Sequence, residues 1–149
     1  MKDERLEIRD KDMRRIDLIV IHCSATRCNR DFPLEELEAC HRAKGYNGIG
    51  YHYYITRDGR IHPCRSEDAI GAHARKYNKH SIGICYEGGL NEKGQSDDTR
   101  TPAQKTSLLT VLYSLKADYP NALILGHRDL PNVHKDCPCF DARTEYKDI

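Results

Sequence analysis

The run IDLIVIHC, residues 16–23, is dominated by β-branched apolar side chains and predicts a buried strand that ends at His22 and Cys23. A polar stretch, SATRCNRDF, follows as a loop. PLEELEACHRAKG then predicts a helix: Pro33 suits the first turn, Leu34, Leu37 and either Cys40 or His41 share one face, and Gly45 stops it. In IGYHYYITRDGRIHPC, aromatic and β-branched residues flank Asp58 and Gly59, which predicts a β-hairpin. HSIGICYEGG predicts another strand closed by two glycines, and the polar NEKGQSDD after it an exposed loop. TRTPAQKTSLLTVLYSLKADYP carries a full helix start, with Thr101 as N-cap, Pro102 at the first helical position and Gln104 three residues after the cap. Its expected apolar face is Leu108, Leu109, Leu112 and Leu115, and Pro120 marks its end. ALILGHRDL predicts a last strand that stops at His127 much as the first stops at His22.

Strand, helix, hairpin, strand, helix, strand is an α/β pattern: a single mixed β-sheet with helices packed on it. A chain of 149 residues without a composition break suits one domain, residues 1–149, with residues 1–15 as a charged N-terminal extension. Basic and acidic residues, 24 and 23, cancel to a formal charge of +1, so no bulk field selects nucleic acid or an anionic membrane. No apolar run approaches the ~20 residues of a membrane span. The charged start MKDERLEIRDKDMRR lacks the apolar stretch of a secretory signal, so a cytoplasmic product is expected.

The chemistry resides in histidine and cysteine. Strand ends are where sites gather in such sheets, which brings forward His22 and His127, and the segment HKDCPCFD follows His127 closely enough to fold back on it. By itself that segment reads as half of a disulfide, as a redox pair, or as one wall of a metal site. Seven cysteines, an odd number without the paired spacings of a disulfide scaffold, leave at least one thiol outside any internal disulfide. Zinc accepts imidazole nitrogen and thiolate sulfur, and a catalytic zinc keeps three protein ligands and one open position. Two strand-end histidines and a cysteine satisfy that, although eight histidines and seven cysteines allow many other triples.

Six ordered blocks, VIHCSAT, GIGYHYYITRDG, GAHARKYNKHSIGICYEGG, TPAQ, GHRDL and KDCPCFD, resemble the type 2 N-acetylmuramoyl-L-alanine amidases. They span about Asp17 to Asp141 and look most like the small bacteriophage lysozymes of that family, more distantly like the peptidoglycan recognition proteins. The resemblance implies one zinc ion held by His22, His127 and Cys137, with Tyr51 and Lys135 as catalytic residues and His41, His73 and Asn78 as contacts for muramyl peptide. Cys139 stands where relatives commonly have Gly or Ser and is expected to be a buried free thiol. Some family members use a glutamate at the position of Cys85 as general base; here Glu87, two residues on and on the same side of a strand, is the available carboxylate. His52, next to Tyr51, should point to the opposite face and be structural.

The implied activity is zinc-dependent hydrolysis of the amide between the lactyl group of N-acetylmuramic acid and L-alanine, by a phage or prophage type of lysin that reaches the wall after release. A cytoplasmic enzyme recycling wall fragments and a non-catalytic peptidoglycan-binding module are the alternatives, and a cysteine peptidase built on Cys137 or Cys23 is a further one. The expected partners are peptidoglycan or muramyl peptides, with no nucleic acid and no membrane, and the protein is expected to act as a monomer. Some phage lysozymes of this type also bind RNA polymerase, but no residue of this chain points to such a surface.

Overall fold

In a computed structural model, which describes residues 14–149, the first apolar run forms β1 (Leu18–Cys23). The expected N-terminal extension lies outside the described residues except for Arg14 and Arg15. Next come β2 (Thr26–Arg27), α1 (Leu34–Ala43), β3 (Tyr53–Ile55) and β4 (Ile61–Pro63), then β5 (Ser81–Tyr86) and β6 (Gly89–Leu90). The chain closes with α2 (Pro102–Asp118), β7 (Leu123–Gly126) and the short α3 (Ala142–Glu145). The main sheet has the order β4-β3-β5-β1-β7, mixed because β4 runs antiparallel to β3 while the other pairs are parallel. β2 and β6 form a separate two-stranded parallel pair, where sequence alone predicts only loop.

β1 is flanked on both sides by parallel neighbours and needs apolar side chains on both faces, which accounts for a continuous rather than alternating apolar run. Ile19, Ile21 and Cys23 face one way, into a core with Ile82, Ile84, Tyr86 and the Leu108, Val111, Leu112 and Leu115 stripe of α2. Val20 faces the other way with Ala74, Leu125 and Leu130, and Phe32, Leu37, Tyr54 and Cys85 continue that layer under α1. Each fully buried Leu or Ile on these faces contributes roughly 1.5–3 kcal/mol.

The start of α2 is as predicted. Thr101 Oγ1 accepts from the Gln104 N–H at 3.1 Å, and Gln104 Oε1 accepts from the Thr101 N–H at 3.0 Å. Gln104 then donates through Nε2 to the carbonyls of Ile55 and Glu87, joining the helix to β3 and to the end of β5. Leu109 departs from its expected place: it is 40% exposed, and Val111 takes its position in the core. At 100° per residue, 108, 111, 112 and 115 form one stripe, whereas 109 is rotated off it. In α1, Leu37 and His41 are buried and Cys40 is exposed, which decides between the two candidates. Pro33, expected in the first turn, is the N-cap directly before it.

The hairpin has strands of only three residues, joined by a turn in which Asp58 Oδ1 accepts from Thr56 Oγ1 and the Arg60 N–H. Residues 49–52 therefore lie before β3, and Tyr51 sits in a bend rather than in a strand. No helix of the described residues is long and apolar enough to cross a membrane.

Candidate active site

The parallel register on β1 assembles the site. His22 pairs with Cys85 of β5, and Ile21 pairs with Gly126, the last residue of β7. His127, one residue past β7, therefore comes level with His22, and their ring centroids are 4.6 Å apart. This is the carboxyl end of a strand whose parallel neighbours lie on both sides, the position where open α/β sheets place their ligands.

The segment after His127 is then brought back. Gly126 donates its N–H to Asp129 Oδ2 at 2.8 Å, the Arg128 N–H donates to the Cys137 carbonyl at 2.8 Å, and Tyr86 donates its hydroxyl to the Pro138 carbonyl at 2.6 Å. Arg100 locks the far end: its guanidinium, with 1% of the side chain exposed, binds Asp98, Glu145 and the Tyr146 hydroxyl and lies 3.4 Å from the centre of the Phe140 ring. Cys137 ends with its Sγ accepting from the Cys23 N–H at 3.2 Å.

The result is a trio of His22, His127 and Cys137 with one donor atom each, all within 4.8 Å of one another, the only such group among the described residues. His22 is 2% exposed. Burial, followed by the neighbouring His73, His127 and Lys135, holds it well below the ordinary imidazole value, and burial and then Lys135 lower His127. Both rings are thus neutral at pH 7, the form that donates a lone pair to a metal, and two imidazoles with one sulfur are a donor set suited to zinc. A cleft of about 820 Å³ opens elsewhere, beside Thr56, Arg57, His62 and Glu87.

The remaining expected residues separate into two groups. Tyr51 and Lys135 border the trio. The Tyr51 ring is 5.1 Å from His22 and 5.2 Å from His41, and burial first, then Cys85 and Cys137, raise its phenol well above the usual value, so it stays protonated. Lys135 is exposed at the rim, and its charge is felt by both histidines. The other three sites are engaged within the protein. His41 Nδ1 accepts from the Gly50 N–H at 2.8 Å, which leaves the proton on Nε2. His73 meets His22 Nε2 through Nδ1 at 2.9 Å and Ser81 Oγ through Nε2 at 3.2 Å. Asn78 Oδ1 accepts from the backbone N–H groups of His73 and Ala74.

Glu87 is not available as a base. Its carboxylate accepts from the Phe32 N–H at 2.6 Å and the Arg57 N–H at 2.8 Å and is paired with the Arg57 side chain, so it braces two loops. Cys85 is fully buried, and burial raises its thiol well above the ordinary value. His52 is structural as expected: Nδ1 accepts from the Gly83 N–H, and Nε2 donates to the Ala69 carbonyl. Cys139 is half-buried, with its Sγ 3.8 Å from Cys23 Sγ. Sequence reasoning left Ser81 and Arg100 unassigned. Ser81 stands inside the block GAHARKYNKHSIGICYEGG, and an arginine directly before a helix cap is the local signal for the second.

Comparison with known proteins gives the family. The chain is 40% identical over 121 residues to the endolysin of Enterobacteria phage K11, covering 81% of this chain and 79% of that one. It is 40% identical over 127 residues to the endolysin of Escherichia phage T7, covering 85% and 83%. Among solved structures it superposes on the N-acetylmuramoyl-L-alanine amidase LysC from Clostridium intestinale with a TM-score of 0.74 at 31% identity, covering 90% of this chain and 83% of that one. Residues 12–140 match the N-acetylmuramoyl-L-alanine amidase family, and with the fold in agreement, the chain belongs to that family of hydrolases.

Proposed function

We propose that this amidase cleaves the bond between the lactyl group of N-acetylmuramic acid and the L-alanine of the stem peptide, with one zinc ion held by His22, His127 and Cys137. The observation that carries the reading is the convergence of two neutral imidazoles and one sulfur at the ends of adjacent strands, in a chain of this family. A zinc ion there supplies Lewis acidity, both toward a water and toward the scissile carbonyl.

The protein's own groups supply the rest. Lys135 stands at the rim as an exposed cation, suited to stabilise negative charge that develops on the carbonyl oxygen. Tyr51, kept protonated, is a hydrogen-bond donor toward the same oxygen and not a base. His41 presents its Nε2–H beside Tyr51 and supports binding of the muramyl group. Two of the relatives, from phages K11 and T7, are endolysins, which supports a lysin acting on the wall after release rather than a recycling enzyme.

A nucleophile at Cys23 finds little support. The contact with the Cys137 sulfur, together with burial, pushes the Cys23 thiol up to about 12, far from a thiolate at neutral pH. The decisive experiment is the release of new L-alanine amino termini from purified peptidoglycan by zinc-loaded protein, with a chelated sample alongside. Amines that appear only with metal support the reading. Binding to the wall without release would make the protein a recognition module, and equal release after chelation would remove the metal from the mechanism.

A further inference from the structure

The resemblance to recognition proteins gives His73 to the substrate, yet both of its ring nitrogens are already engaged inside the protein. Nδ1 lies 2.9 Å from His22 Nε2, and Nε2 lies 3.2 Å from Ser81 Oγ. Ser81 is itself fully buried, and the His22 and His73 rings meet edge to face with centroids 5.0 Å apart.

We infer that His73 is a positioning residue for His22: its Nδ1 accepts a hydrogen bond from His22 Nε2–H, its own Nε2–H donates one to Ser81 Oγ, and His22 Nδ1 is left with its lone pair free for the metal site. The inference rests on the metal site proposed above and deepens it. Two neutral imidazoles facing each other have only two arrangements of their protons. In the first, His22 Nε2–H donates to His73 Nδ1, His73 Nε2–H donates to Ser81 Oγ, and His22 Nδ1 is left with a lone pair. In the second, His73 Nδ1–H donates to His22 Nε2, Ser81 donates to His73 Nε2, and His22 Nδ1 carries a proton that blocks ligation. A metal at His22 selects the first arrangement, and the three-membered chain accommodates it because the Ser81 hydroxyl can accept. An acceptor behind a ligating imidazole fixes its tautomer and raises its basicity.

The packing holds His73 in place for this task. A Cβ at Gly83 would come within 2.5 Å of His73 Cγ, and one at Gly71 within 2.7 Å of His73 Cδ2, so the ring fills a slot that only two glycines leave open. Asn78 fixes the backbone of the same residue by accepting from the His73 and Ala74 N–H groups at 3.0 and 2.9 Å. The block that carries His73, Asn78, Ser81 and Gly83 is thereby read as a support for His22.

The test uses the full-length protein and zinc alone, with affinity measured by competition against a chromogenic chelator. His73→Leu removes the acceptor and should weaken zinc binding about 10–100-fold, the usual effect of losing such a partner. His73→Asn puts an amide oxygen close to the position of Nδ1 and should recover most of that affinity. Ser81→Ala should give a smaller loss in the same direction. The nitrogen-15 spectrum of the zinc-loaded parent should show His22 protonated at Nε2 with a protected proton, and in His73→Leu that protection should disappear. Melting of the metal-free proteins separates a folding defect from a loss of positioning, because a purely structural His73 would lower melting without any rescue of affinity by Asn. A His73→Leu protein that folds and holds zinc as tightly as the parent overturns the inference alone. A parent that binds no zinc overturns the metal site and the inference with it.

Discussion

Replacing Arg100 with methionine should destabilise the protein in a way that depends on pH. The guanidinium is buried, binds Asp98 at 2.8 Å and Glu145 at 2.8 Å, and covers the Phe140 ring. Removing one member of a buried ion pair costs ~3–5 kcal/mol when the partner charge is left stranded in the interior. Here the partners are not stranded, since the Asp98 and Glu145 side chains are 34% and 44% exposed and regain water, which discounts the ionic part substantially. The cation–π contact adds ~1 kcal/mol, and methionine retains most of the apolar packing, so a net loss of ~2–3 kcal/mol is expected. For a chain of this size that corresponds to a melting temperature lower by about 4–12 °C.

The pH dependence follows from the two carboxyls. Hydrogen bonds from Arg100 hold both Asp98 and Glu145 below their ordinary values. Groups depressed on folding bind more protons in the unfolded chain, so their contribution is present above the unfolded value, about 4, and is lost as pH falls through the folded one. The gap between parent and variant should therefore be full at pH 7 and narrow markedly toward pH 3. Urea melts of both proteins across that range check it. A gap below ~1 kcal/mol at pH 7, or one of the same size at pH 3, would refute the argument.

Further outcomes concern the site. Lys135→Ala should keep its zinc and lose roughly 10²–10³-fold in turnover, as expected for removal of an oxyanion donor, and zinc analysis beside the amine-release assay checks both halves. Cys137→Ser should lose stoichiometric zinc after dialysis, and a variant with full zinc content would take Cys137 out of the ligand set. Glu87→Gln should leave zinc content and turnover per folded molecule unchanged while costing about 1–3 kcal/mol in a denaturant melt, because a charged acceptor for two backbone donors becomes a neutral one; a collapse of turnover in the folded variant would restore Glu87 as a catalytic group.

The elements that were legible in the sequence are those whose cause is local. The capping box of α2 needs only residues 101–104, and both of its reciprocal hydrogen bonds are present. The apolar run of β1 and the turn at Asp58 and Gly59 are similarly short-range signals, and His22 and His127 were recognisable because each stands at the carboxyl end of an apolar run. Small local shifts escaped: Leu109 lies just off the buried stripe, and the hairpin strands stop short of Tyr51 and His52.

What only the tertiary structure decided is which polar atoms meet across long separations. His22 and His73 are 51 residues apart, Glu87 and Phe32 are 55, and Cys23 and Cys137 are 114. Side-chain periodicity along a strand correctly puts Glu87 on the same side as Cys85, but it carries no information about Phe32 and Arg57, whose N–H groups occupy the carboxylate. The sequence by itself therefore determined the elements, the family motifs and the candidate ligands. The register of β1 between β5 and β7 decided the rest, because a hydrogen bond requires a partner within about 3 Å, and only the packed sheet sets such distances.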